Sequence, residues 1–201
     1  MNLQQQLGSA WIREHIPHQG RMCLLEQVLS WNRQELRCRS GSHRATDHPL
    51  RAHGRLGSAC LIEYAAQAVA IHGALLQALE HPPTVHALSH APAATPRQGY
   101  TDEAAAARQP RAAGVLASAR SVALAVERLD DIAADLLIEA RRLHSDPRSA
   151  LYAFTVHPIA LQALTSAQDA SHVRQGQQLL AQGRLTLWLV GPEGHAPAVA
   201  R

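Results

Sequence analysis

The chain has 201 residues, 46% apolar and 17% charged, enough for one compact domain with a sizeable core and no need of disulfide or metal staples. Its net charge of +3 rests on nineteen arginines with no lysine; they run from Arg13 to Arg201 without clustering, which argues against a nucleic-acid surface and excludes lysine Schiff-base chemistry. Three cysteines, Cys23, Cys38 and Cys60, form neither a disulfide framework nor a CxxC zinc site, and with no apolar run of about eighteen residues and no cleavable leader the protein is expected to be soluble and cytoplasmic, without a membrane span.

A short helix is expected around residues 10–15, ending before Pro17 and Gly20. Residues 22–31 (MCLLEQVLSW) read as a first strand, Asn32-Arg33 as a tight turn, and residues 35–43 as a second strand with Leu36, Cys38 and Ser40 alternating. Residues 58–79 then read as a long helix, capped by Ser58 and closed by Pro82-Pro83. Ala65, Ala66, Ala68, Val69 and Ala70 make it apolar almost all round, as a buried central helix requires. Residues 81–112, rich in Ala, Pro, Thr, Gln and Gly, read as an inserted low-complexity segment. Strands follow at residues 115–129, 135–143 and 150–156, the last two joined by a Ser145-Asp146-Pro147 turn. A polar stretch at 162–178 precedes a final strand at 185–190.

A single apolar helix with strands before and after it must be wrapped by one antiparallel sheet. The expected fold is therefore α+β, a hotdog fold with a long central helix, as a single domain over residues 1–201 interrupted at 81–112.

Glu63 is the most informative residue on that helix. An ionised carboxylate is costly to bury unpaired, so Glu63 is expected to face a cleft, meet a cation or have a raised pKa; a solvated surface glutamate is the plain alternative. Among thirteen histidines no single one stands out by count. His43, His48 and His53 follow no metal-ligand spacing, so no metal is expected. Cys60, near the helix start, reads as packing rather than as a thiolate.

Two segments carry a resemblance. Ile16-Pro17-His18-Gln19-Gly20-Arg21-Met22-Cys23-Leu24-Leu25-Glu26-Gln27-Val28 resembles the opening motif of the beta-hydroxyacyl-acyl-carrier-protein dehydratases. Leu61-Ile62-Glu63-Tyr64-Ala65-Ala66-Gln67-Ala68 is similar to the start of that family's central helix, and weaker agreement runs through Gly114 to Ser118 and Gly183 to Leu185. With His72-Gly73 after the acid, the helix looks closest to divergent dehydratase-like proteins of aryl-polyene type pathways.

The resemblance implies elimination of water from a 3-hydroxyacyl thioester on acyl carrier protein, with no cofactor. It casts His48 as the base, Glu63 as the acid from the other subunit, Gln67 as the residue orienting that carboxylate, and Gly57, Ser58 and Ala59 as the segment whose amides face the thioester oxygen. His53, in Ala52-His53-Gly54 on the same loop, rivals His48, and His18 reads as a turn residue. This chain departs from the family at His48-Pro49-Leu50-Arg51 and at Gly57-Ser58, and its histidine-to-acid gap is one residue longer. The family's assembly implies a homodimer, or a heterodimer with a related subunit, and the arginines would steer an acidic carrier. An acyl thioesterase using Glu63 without His48, and a non-catalytic subunit that binds a carrier or an active dehydratase, are the alternatives.

Overall fold

The computed structural model describes residues 7–80, 113–159 and 178–190. In chain order these form β1 (Leu7–Gly8), α1 (Ser9–His15), β2 (Gln27–Trp31), β3 (Glu35–Ser40), α2 (Leu61–Glu80), β4 (Ala113–Leu124), β5 (Asp135–Ser145), β6 (Ser149–Ile159) and β7 (Ala181–Val190). All seven strands lie in one antiparallel sheet, ordered β1-β2-β3-β5-β6-β7-β4. The sheet packs on α2 through β3, β4, β5 and β6, which is the hotdog arrangement expected from the sequence.

The helix buries Leu61, Tyr64, Ala65, Ala68, Ile71 and Leu75 against Leu36, Ile138, Phe154 and Val156, while Ile12 and Ile16 close the core from the side of α1. By length and composition alone Ser58–Glu80 could cross a membrane, which corrects the expectation that no such run exists. More than half of its most apolar stretch is buried inside the fold, as befits a core helix.

The boundaries differ from expectation where side chains take over from ladders. The strand expected from residue 22 is β2 and starts at Gln27, after a 3-10 turn at Gly20–Met22. Leu24 spends its N–H on the Gln67 side chain, and its carbonyl accepts from the hydroxyls of Ser40 and Ser42. Ser58 does not cap the helix; it opens a 3-10 turn, Ser58–Cys60, without a side-chain cap bond. The strand expected at 115–129 ends at Leu124, and buried Leu129 donates its N–H to Leu56 instead. The hairpin turns behave as read: Asn32 Oδ1 accepts from Gln34 and Glu35, and Asp146 Oδ1 from Arg148 and Ser149. The Ala/Pro-rich segment at 81–112 lies outside the described residues.

Gly183 shows how closely sheet and core fit. It pairs with Phe154 across β6 and β7, and a Cβ there would stand 2.8 Å from the Phe154 ring and 3.0 Å from Val122. Gly183→Ala is expected to cost about 1–3 kcal/mol of stability, the usual range for overpacking, as read from urea unfolding.

Candidate active site

Glu63 lies in the first turn of α2, where an acidic side chain suits the positive end of the helix. Its surroundings are built by two segments. From its own helix, Gln67, one turn on, donates from Nε2 to Glu63 Oε1 at 2.9 Å. From the segment between α1 and β2, His18 Nε2 lies 3.0 Å from the same oxygen. Both contacts fall on Oε1, and the carboxylate is 30% exposed, so it is neither sealed nor merely solvated.

Gln67 does more than touch Glu63. Fully buried, it also donates to the Met22 carbonyl at 2.7 Å and accepts from Leu24 N–H at 2.8 Å. The amide thereby ties the irregular segment that carries His18 to the helix that carries Glu63. The His18 bond, and then the Gln67 bond, hold the Glu63 carboxyl below the usual carboxylate range against the opposing pull of burial. Of the three outcomes expected for this glutamate, the structure shows a paired carboxylate with a lowered pKa, not a raised one.

His48 stands elsewhere. It is 5% exposed, accepts from Leu50 N–H at Nδ1 (3.2 Å), and meets the Tyr64 hydroxyl at Nε2 (3.1 Å). With Nδ1 accepting, the neutral ring carries its proton on Nε2 and donates it to Tyr64. Tyr64 in turn meets Ser42 Oγ at 2.6 Å, and Ser42 donates to the Leu24 carbonyl. Burial, and next the Arg51 guanidinium, push the His48 pKa down, so the ring is neutral at neutral pH. Within one chain no hydrogen bond or ion pair among the described residues joins His48 to Glu63. His53, its rival, is exposed at a tight turn with φ of 51°.

At the start of the helix, Gly57 bridges Arg128, and Ser58 N–H donates to the Glu127 carbonyl at 3.1 Å. The Ser58 amide is therefore already spent as a donor, whereas Ala59, next in the same segment, is exposed. Cys60 is raised by burial, which suits packing rather than thiolate chemistry. Among the described residues no cluster of three or more His, Cys, Asp or Glu side chains could hold a metal ion.

A cavity of about 300 Å³ runs along the same side of α2, beyond Gln67. It is walled by Ile16 and Pro17, by Val69 and Gly73 of α2, and by Leu187 and Leu189 of β7. Pro17 and Gln19, the neighbours of His18, both line it, so the apolar slot begins where the polar cluster ends.

His18 is the residue that sequence reasoning missed. It belongs to the Pro17-His18 motif but was expected only to shape a turn, because its pairing with Glu63 depends on how this segment docks on α2.

Residues 10–87 match the profile of the ApeP-like family, described as ApeP dehydratase, and this span contains His18, His48, Glu63 and Gln67. Among solved structures the chain is similar to the dehydratase heterocomplex ApeI:P from Xenorhabdus doucetiae, at 17% identity and a TM-score of 0.60, over 91% of this chain and 93% of that one. It is also similar to a thioesterase family protein from Silicibacter pomeroyi, at 12% identity and a TM-score of 0.50, over 90% and 98% of the two chains. No curated protein matches in sequence. The resemblance to divergent dehydratases of the aryl-polyene type is thus borne out, and so is the hotdog fold.

Proposed function

We propose that the protein dehydrates a 3-hydroxyacyl thioester carried on acyl carrier protein, giving the trans-2-enoyl thioester. The observation that carries this reading is Glu63: an ionised, partly exposed carboxylate on an otherwise apolar helix, pinned by one oxygen to His18, whose two chain neighbours line the apolar slot.

Removing the C2 proton makes the new double bond as the C3 hydroxyl leaves. Glu63 rests as a carboxylate, so it accepts a hydrogen bond from the C3 hydroxyl and fixes its direction, instead of arriving with a proton. His48 takes the C2 proton at Nδ1, the nitrogen that carries the lone pair, and returns it to the departing hydroxyl, which leaves as water. For this the imidazole turns away from Tyr64 and Leu50, since neither nitrogen offers a free lone pair where it sits. Tyr64 keeps Ser42 as its partner meanwhile. The acyl chain occupies the slot between α2 and β7.

Assembly as a dimer of two copies of this chain fits the sheet's far edge. Strand β4 is terminal, twelve residues long, and exposes Val115, Leu116 and Leu124, a combination that lone sheets avoid.

Gly73 gives the slot its depth: a Cβ there would meet nothing within 4 Å. Gly73→Leu is therefore expected to fold, with improved helix propensity, and to shorten the acyl chain that is accepted. Each methylene kept out of the slot forfeits about 0.8 kcal/mol, roughly fourfold in kcat/KM, measurable across a series of acyl lengths.

The reading is tested with a 3-hydroxyacyl carrier thioester and three proteins: wild type, His48→Ala and Glu63→Ala. Dehydration lost in both variants supports it. Hydrolysis that survives His48→Ala identifies a thioesterase, and binding without turnover by the wild type identifies a non-catalytic subunit.

A further inference from the structure

Outside the proposed roles of His48 and Glu63, one polar arrangement has no assigned purpose. His18 reaches Glu63 with Nε2, yet its other ring nitrogen, Nδ1, is buried and has no hydrogen-bond partner among the described residues. An unsatisfied buried nitrogen is expensive, and in native proteins such groups gather at sites of function. The two residues that flank His18 line the apolar slot. Gln67 fixes the segment that carries His18, through Met22 and Leu24, with the same side chain that bonds Glu63. The imidazole is thus built into the Glu63 cluster by packing, not left there by a flexible surface loop.

We propose that His18 is the positioning residue for Glu63: its Nε2–H, together with Gln67, fixes Oε1 so that Oε2 alone is presented to substrate. Nδ1 keeps a buried lone pair with no partner among the described residues. The inference rests on Glu63 being the carboxylate that handles the substrate hydroxyl. It adds a residue, from the same subunit as the acid, whose loss damages turnover more than binding.

The groups set against Glu63 are His18 from the segment before β2, Gln67 from α2, and the neutral Cys60 thiol from the preceding 3-10 turn. His18 is the leading cause of the lowered carboxyl pKa, so its removal raises the pH at which Glu63 takes up a proton. Glu63's contribution to stability is complete above the ordinary carboxylate range and is lost as pH falls through its lower, folded value; without His18 that loss moves to higher pH.

The experiment compares wild type, His18→Ala and His18→Gln, since a glutamine amide N–H reaches about as far as Nε2. Two readouts are taken: the Glu63 carboxyl titration by carbon-13 NMR of the full chain, and kcat and KM for dehydration. The expected result is a Glu63 midpoint that rises in His18→Ala and returns toward wild type in His18→Gln. A kcat fall of tenfold or more in the alanine variant, with KM little changed, should be largely rescued by glutamine. An unchanged midpoint in His18→Ala overturns the proposal, as does a glutamine variant no better than alanine in either readout. The titration needs no turnover: a shifted midpoint in a protein that dehydrates nothing would keep the positioning role and remove the dehydratase reading.

Discussion

Replacing Glu63 with glutamine is expected to lower kcat for dehydration by about 10²-fold, the usual scale of losing the group that orients a reacting atom. The substitution keeps side-chain length and leaves Gln67 bonded to Met22 and Leu24, so the fold is preserved. What it removes is the negative charge that orients the C3 hydroxyl. The damage should therefore appear in kcat, with KM nearly constant, because the acyl chain still finds Val69, Gly73, Leu187 and Leu189 in the slot. Steady-state kinetics across substrate concentrations separate the two parameters. A Glu63→Gln protein within tenfold of wild type would mean that the carboxylate is a structural ion-pair member and nothing more.

Gln67→Leu is expected to be the most destabilising change at the site. Leucine fills a similar volume, but it strands Leu24 N–H and the Met22 carbonyl beside a fully buried position. At about 1–3 kcal/mol for each unsatisfied group, the loss should reach about 2–6 kcal/mol, read as a lower urea midpoint. Activity should fall further than stability explains, since the segment carrying His18 is no longer tied to α2. Gln67→Glu offers a control. It keeps an oxygen for Leu24 N–H, yet it loses the donor to Met22 and sets a second negative charge against Glu63. A fully buried carboxylate beside Glu63 is costly, so this variant should lose stability at neutral pH as well as turnover, and regain part of the stability as acid protonates it. If leucine unfolds at the wild-type midpoint, the three bonds of Gln67 are not what joins the two segments.

How much was legible in the sequence follows from the range of the forces involved. The central helix was plain, because an apolar run from Leu61 to Leu76 interrupted by one acid has few other uses. The β5–β6 hairpin was plain too, since Asp146 organises its own turn through bonds two and three residues away. The start of β2 was not. Residues 22–26 are as apolar as a strand, but the partners of Leu24 are Gln67, Ser40 and Ser42, all distant in sequence. The same reason hid His18. A Pro-His pair announces a turn, and only the docking of that turn on α2 brings the ring to Glu63. Glu63 stood out as an acid in an apolar helix, and the likeness to a family motif paired it with Gln67, one helical turn on. His48 was found by its likeness to a family motif, but its engagement with Tyr64 and Leu50 required the folded loop.

The central claim is that this chain eliminates water from a carrier-bound 3-hydroxyacyl thioester. Mass spectrometry of the intact carrier, after incubation with the wild-type protein, tests it most directly. Starting from the 3-hydroxyacyl carrier, the account predicts loss of one water with the acyl group still attached. Starting from the enoyl carrier, it predicts gain of one water, and both reactions should stop at the same mixture. A carrier returned to its free thiol, or one left unchanged from either direction, would contradict it.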